Sequence, residues 1–264
     1  MRILITGGAG YLGSVITRQL MLHHEVTVID NLMYNQTSLL DLFGKPGFKF
    51  IYGDVRNKSL LLEQVKTHDV IIPLAALVGF PSCEKDKQLA TDVNFNQIKN
   101  IVDNLSPNQQ ILYPNTNSGY GSRTNKGEVD ETNSLTPISH YGITKCNSED
   151  YIKNNSNGIT FRLATVFGVS SRMRLDLLVN EFVYKLLTDK YLHKFCNFIE
   201  DYNWTQNYDF WLLGSFPKVL EGTLPAARDM DIAVVSKDEY HNKNEISLIL
   251  SKCMFVFLSN FLIK

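Results

Sequence analysis

Short apolar runs alternate with longer segments of helical spacing over the first 170 residues of the chain. Arg2–Thr6 is an apolar strand, residues 12–22 read as a helix, and Glu25–Asp30 (Glu-Val-Thr-Val-Ile-Asp) as a second strand. Phe48–Tyr52 and residues 70–74, 111–114 and 159–166 predict further strands, with helices at 58–66, 87–105 and 139–154 between them. Strands that alternate with helices in this way predict βαβ units, and therefore an α/β chain with a doubly wound parallel sheet and right-handed crossovers. Residues 175–189 carry one more amphipathic helical pattern. From about Lys194 the alternation fails: residues 197–209 are aromatic and polar without a period, and only residues 231–235 predict a strand. A boundary is therefore expected near residue 192, with 1–192 as the α/β domain and 193–264 as a short, atypical C-terminal segment.

Composition narrows the function classes. Among 264 residues 44% are hydrophobic and 20% charged, which supports a large core and excludes disordered, collagenous and coiled-coil classes. Lys+Arg number 26 against Asp+Glu 27, so there is no basic surplus for a nucleic-acid backbone. Any polyanionic ligand must be caught locally. The cysteines Cys83, Cys146, Cys196 and Cys253 lie far apart, without metal-ligand spacing, and read as reduced packed thiols; no metal is expected. The apolar run after Arg2 is too short for a secretory leader, and Lys252 with several polar residues interrupts the apolar stretch 246–263. A cytoplasmic protein without a membrane span is the expectation.

Thr6-Gly7-Gly8-Ala9-Gly10-Tyr11-Leu12-Gly13 follows the first strand and opens the first helix, with Gly7, Gly10 and Gly13 spaced G-x-x-G-x-x-G. A pyrophosphate bound at a helix N-terminus needs this tight turn and close backbone. Strand-to-helix turns use glycine for other reasons too, but Asp30 ends the next strand, where a carboxylate accepts from an adenosine ribose and repels a 2′-phosphate. NAD, rather than NADP, is therefore the expected cofactor, held by Gly7, Gly10, Tyr11, Leu12, Gly13, Asp30 and Asn31. Gly53-Asp54-Val55 is either a plain turn or a second contact in which Asp54 meets the adenine amino group. The small residues of Leu74-Ala75-Ala76-Leu77 fit a backbone passing close to the cofactor, or a buried strand end.

Tyr141-Gly142-Ile143-Thr144-Lys145 puts Tyr141 and Lys145 at i and i+4 on one helix face. A tyrosine base needs its pKa brought down, which a neighbouring ammonium and a positively charged nicotinamide would do. The spacing also arises by chance. Its position helps decide: Tyr113-Pro114-Asn115-Thr116-Asn117-Ser118-Gly119-Tyr120-Gly121, 25 residues earlier, ends the fifth strand at the sheet edge where doubly wound folds bind ligands.

Taken in order, these motifs resemble the extended short-chain dehydrogenase/reductase family, specifically its nucleotide-sugar epimerase/dehydratase branch, over residues 1–190. The resemblance implies a Rossmann-type fold, with Tyr141 as general base and acid, and Lys145 tuning it while holding the nicotinamide ribose. It further implies that Thr116 hydrogen-bonds the reacting sugar oxygen and that Asn94 supports the site, with Ser118 as the alternative hydroxyl. Relatives that dehydrate carry Asp-Glu after the threonine, decarboxylases a glutamate, and epimerase-reductases a cysteine; this chain has Asn117-Ser118. What remains is 4-epimerisation or reduction of a 4-keto sugar, with a nucleotide-diphosphate sugar as partner and a homodimer as the possible assembly.

Two departures mark the resemblance. Arg162-Leu163-Ala164-Thr165-Val166-Phe167-Gly168 has Thr165 where relatives carry an asparagine that touches the substrate. Beyond Tyr191 the segment by which relatives clamp the nucleotide diphosphate is not matched. Arg172 and Arg174 either grip that diphosphate or are solvated charges. Leu213-Gly214-Ser215 with Asp229-Met230-Asp231 is similar to a nucleotidyltransferase metal signature, or is a turn and a strand start. The alternatives to an epimerase or reductase are an NAD-binding pseudoenzyme that has lost its substrate domain, and a fusion with a nucleotidyltransferase-like fragment.

Overall fold

The computed structural model describes residues 1–121, 129–188, 208–214 and 230–236. Its contacts divide the chain into two compact units, Met1–Val166 with Ser170–Arg174, and Phe167–Val169 with Leu175–Lys264.

The first unit is built on six parallel strands: β1 (Arg2–Thr6), β2 (Glu25–Asp30), β3 (Phe48–Tyr52), β4 (Val70–Pro73), β5 (Gln110–Thr116) and β6 (Ile159–Leu163). Their order is β3-β2-β1-β4-β5-β6, the doubly wound arrangement expected from the alternation. The central strand reads as an uninterrupted apolar run because both its faces are covered: Ile3, Leu4 and Ile5 are wholly buried. β1 runs in register with β2 from Arg2↔Glu25 to Thr6↔Ile29, and with β4 from Ile3↔Val70 to Thr6↔Pro73. β4 and β5 share only Val70↔Gln110 and Ile71↔Ile111 before they part, whereas β5 stays with β6 from Leu112↔Ile159 to Thr116↔Leu163. The chain reverses its winding between β1 and β4, and their carboxyl ends form the crevice where such folds take ligands.

The helices are α1 (Tyr11–Leu20), α2 (Lys58–Val65), α3 (Phe80–Lys85), α4 (Lys87–Thr91), α5 (Gln97–Val102) and α6 (His140–Asn155). Local signals set their ends. Asn57 caps α2 by accepting from Leu60 N–H, and Ser139 caps α6 by accepting from Gly142 N–H. The helix expected over 87–105 is interrupted: α4 and α5 are joined by a π-turn at Asp92–Asn96, and the helical run ends at Val102. β6 stops at Leu163, three residues short of the strand expected over 159–166, and α1 stops at Leu20 rather than 22.

In the second unit the helix expected over 175–189 begins later, as α7 (Leu178–Thr188). The strand expected at 231–235 is β8 (Met230–Ser236), which pairs antiparallel with β7 (Tyr208–Gly214). β7 escapes a search for alternation because Phe210-Trp211-Leu212-Leu213 is a continuous apolar run. Residues 197–207, Ser215, Asp229, the stretch 246–263 and the boundary near residue 192 lie outside the described residues. Among the described residues no helix is long and apolar enough to cross a membrane.

Candidate active site

The glycine loop is held from both sides. Gly7 N–H donates to Ile29 O at 2.8 Å, and Gly7 sits at φ +72, which an L side chain rarely adopts. A Cβ at Gly7 would lie 2.5 Å from Ala75 N, and one at Gly13 would lie 2.5 Å from Gly7 O. Gly10, the residue before α1, supplies no side-chain cap, and the first turn of α1 holds no acidic residue. The N–H groups of Tyr11, Leu12 and Gly13 thus open a helix with no acidic side chain in its own first turn. That cradle, which any side chain would fill, fits the pyrophosphate of NAD.

Asp30 stands beside it, buried, with Oδ2 accepting from Ala9 N–H at 3.0 Å and Oδ1 from Leu32 N–H at 2.9 Å and Gln36 Nε2 at 3.2 Å. Burial pushes the Asp30 carboxyl up, against the two backbone donors that pull it down. Leu74-Ala75-Ala76 runs past the loop just after β4: Ala75 N–H donates to Thr6 Oγ1 at 3.3 Å, and Gln97 Nε2 donates to Ala75 O at 2.6 Å. Asp54 is turned to Arg56, whose Nε and Nη2 lie at 3.0 and 2.8 Å, and Asn31 Nδ2 reaches it at 3.4 Å. Hydrogen bonding from Arg56 holds the Asp54 carboxyl at about 2. Val55 is buried beneath it.

Asn94 occupies the centre of the π-turn, a backbone irregularity that often marks functional sites. Its side chain accepts from Leu77 N–H at 2.8 Å and donates to Leu77 O at 3.0 Å and Thr144 Oγ1 at 3.3 Å. Ser148 Oγ donates to Asn94 O at 2.7 Å. Asn94 therefore ties the loop after β4 to α6. Gln97, Thr144 and Ser148 escaped the sequence reading; their spacing from Asn94 and Tyr141 is the only signal that points to them.

Tyr141 packs beside Leu77, Cys83 and Ala90, with the Thr116 side chain near enough to its hydroxyl to act on the phenol. Thr116 Oγ1 donates to Ser118 Oγ at 3.1 Å and accepts from Ser118 N–H at 3.1 Å. Burial raises the Tyr141 phenol, Cys83 adds to this, and the Thr116 side chain and the charge of Arg174 oppose it. Lys145 is buried, donates to Pro114 O at 2.6 Å, and has its Nζ 4.0 Å from the Tyr113 ring centre. Burial brings the ammonium down to about 7. The Lys145 ammonium thus faces the Pro114 carbonyl, while the charge of Arg174 lowers the phenol.

Close packing fixes the turn against the helix. A Cβ at Gly119 would meet Cys146 Sγ at 2.7 Å, and one at Gly142 would meet Pro137 Cβ at 3.0 Å and Ser118 O at 3.3 Å. Thr165 is exposed just past β6. Ser170 Oγ donates to Tyr11 O at 2.7 Å and lies 2.8 Å from Ser14 Oγ, so the segment 170–174 crosses the start of α1. The two candidate diphosphate arginines on it part company: Arg172 lies over the Tyr34 ring at 5.5 Å, beyond β2, while Arg174 acts on Tyr141. Among the described residues no three His, Cys, Asp or Glu gather as a metal site.

The family described as NAD dependent epimerase/dehydratase matches residues 3–210. The chain is 31% identical over 167 residues to a probable dTDP-glucose 4,6-dehydratase of Sinorhizobium fredii, covering 57% of this chain and 48% of that protein. It is 30% identical over 208 residues to an uncharacterized UDP-glucose epimerase of Bacillus subtilis, covering 72% and 64%. A crystal structure of UDP-glucuronic acid 4-epimerase from Bacillus cereus, in complex with UDP-glucuronic acid and NAD, is 27% identical with TM-score 0.62, covering 72% of this chain and 64% of that one. The chain thus spans about half to just under two thirds of the length of these relatives.

Proposed function

Because the chain belongs to the NAD-dependent epimerase/dehydratase family, we propose that its site carries out NAD-dependent 4-epimerisation of a nucleoside-diphosphate sugar. NAD is the cofactor of this family, and when bound in the glycine cradle it supplies hydride acceptance and return at C4 of the sugar. Tyr141 takes the O4 proton as C4 is oxidised and gives it back when the keto sugar, turned over, is reduced on its other face. Thr116 holds O4 against the phenol, and Lys145 meets the nicotinamide ribose with its ammonium.

One observation carries the reading. Thr116 stands beside Tyr141, and the residues that follow it, Asn117 and Ser118, cannot exchange protons near neutrality. Among the described residues of this turn, none beside Tyr141 is a second acid or base, and one proton-transferring group is enough for an alcohol–ketone interconversion. Elimination of water across C5 and C6 needs further acid and base groups at this turn.

The test incubates the chain with NAD⁺ and, in turn, UDP-glucose, UDP-N-acetylglucosamine, UDP-glucuronic acid and dTDP-glucose, and separates the sugars. The 4-epimer of at least one, with no stoichiometric NADH, is the expected result. A 4-keto-6-deoxy sugar as product would replace the reading with a dehydratase.

A further inference from the structure

Tyr141, Lys145 and Glu149 follow each other at four-residue steps along α6, about 40° apart in projection and hence on one stripe of the helix. The third member is the least expected. Glu149 is wholly buried, a costly position for a carboxylate unless it is fully paired. Arg162 of β6 supplies the pairing: Nε lies 3.0 Å from Oε1 and 3.2 Å from Oε2, and Nη2 lies 2.7 Å from Oε1. Lys153 Nζ adds a bond to Oε1 at 2.6 Å, and Asn115 Nδ2 donates to Oε2. Burial pushes the Glu149 carboxyl up, yet hydrogen bonds from Arg162, Lys153 and Asn115 hold it at about 2, so it stays charged at every working pH.

The partners reach every part of the reaction centre. Asn115 directly precedes Thr116 on β5. Arg162 Nη1 continues to Tyr120 Oη at 3.1 Å, at the end of the turn that Thr116 opens, and its guanidinium lies 5.2 Å from the Tyr120 ring centre. Tyr120 Oη donates in turn to Asp130 O at 2.9 Å. One carboxylate is therefore bonded to the strand end before Thr116 and, through Arg162, to the turn after it, while its own helix carries Tyr141.

We propose that Glu149 and Arg162 are positioning residues that set the turn carrying Thr116 against Tyr141 on α6. Neither touches the substrate side of the site. A planar guanidinium gripping a carboxylate in two places fixes direction as well as distance, which a lysine or a packing contact would not. The rest of α6 is anchored to other elements, through Asn94 and Ser148, so loss of the pair shifts the turn relative to the helix rather than unfolding it.

The inference rests on the epimerase reading for its turnover arm only. Glu149→Gln alone leaves Arg162 buried without its counter-charge and risks the fold. The informative variant is Glu149→Met with Arg162→Met, which replaces the pair by apolar side chains of similar length in the full chain. Expected are NADH affinity within about threefold of the parent, a melting temperature within a few degrees, and kcat lowered about 10- to 100-fold with little change in KM for the sugar, the scale of a misplaced proton donor. A second readout needs no substrate: alkaline titration of Tyr141 by near-ultraviolet absorbance, taken as the difference from the matching Tyr141→Phe protein. Thr116→Val defines the upward midpoint shift caused by losing that hydroxyl beside the phenol, and the double variant should reproduce at least half of it. An unmoved Tyr141 midpoint in a folded, NADH-binding double variant overturns the inference, whatever the turnover. Absence of any sugar turnover by the parent defeats the epimerase reading but leaves the titration to decide on the pair.

Discussion

At the level of single residues, two carboxylates that look alike in sequence have different surroundings. Asp54 is held by Arg56, but Asp30 uses its oxygens to accept the Ala9 and Leu32 N–H groups, so it fixes the glycine loop. Asp30→Asn turns an amide N–H₂ toward those donors and removes the charge that repels a 2′-phosphate. NADH affinity should fall, and the ratio of NADPH to NADH dissociation constants should shrink by about tenfold or more, read by fluorescence titration. An unchanged ratio would remove Asp30 from cofactor choice. Tyr141→Phe should leave NADH affinity intact and cut epimerisation by about 10² or more. Lys145 gives a pH signature. Its folded pKa, about 7, lies below the free lysine value of 10.5, so the unfolded chain binds more protons between those limits and this group's contribution to stability rises with pH there. Lys145→Met should therefore raise the melting temperature, by more at pH 7 than at pH 9.5, while abolishing activity. An equal gain at both pH values would mean that the lysine is not buried as described. That Tyr141 and Lys145 share one helix face, and that Thr116 ends β5, was legible from spacing and from the hydroxyl-rich turn. The orientation of Lys145 was not, because nothing in Y-x-x-x-K says that Pro114 O is the nearest acceptor.

Among the elements, those with a periodic apolar face were legible and those shaped by side-chain bonds to the backbone were not. β1, β2 and β3 fall on the strands expected from hydrophobicity alone, since their ends are set by the glycine loop, Asp30 and the Gly53 turn. The π-turn inside the 87–105 pattern leaves that pattern intact, and it is Asn94 bonding to both Leu77 backbone groups that accompanies the wider turn. α3 was missed because it is a single short segment with Pro81 in its first turn. The glycine loop gives the sharpest test at this scale. Gly13→Ala puts a methyl group 2.5 Å from Gly7 O, a backbone atom that cannot swing away. The loop must open, and NADH affinity should drop at least about tenfold, with a destabilisation of about 1–3 kcal/mol by denaturant titration. Wild-type affinity in that variant would mean that α1 does not approach the cofactor as closely as the cradle requires.

For the whole chain, the doubly wound sheet followed from alternation and right-handed crossovers, whereas the pairing of β8 with β7 was missed because β7, unlike the expected β8, is a continuous apolar run. All the expected cofactor contacts precede Gly168, so a chain ending at Thr188 should bind NADH within about threefold of the full chain in calorimetry, and a loss beyond tenfold would give the remaining residues a part in the cofactor site. The sheet itself has a seam. β4 and β5 keep only two register pairs, and Pro73 at the end of β4 has no N–H to donate, so the four strands β3-β2-β1-β4 and the pair β5-β6 meet along a short zipper. In hydrogen–deuterium exchange the two sides should behave as separate cooperative units: amides of β1 and β2 should exchange only on global opening, while Ile111 and Leu112 exchange earlier, by parting of the sheet. The line along which the protein breathes would then lie one strand away from the crevice between β1 and β4, on the side where β5 carries Thr116, and NAD bound beside it would slow exchange at the seam.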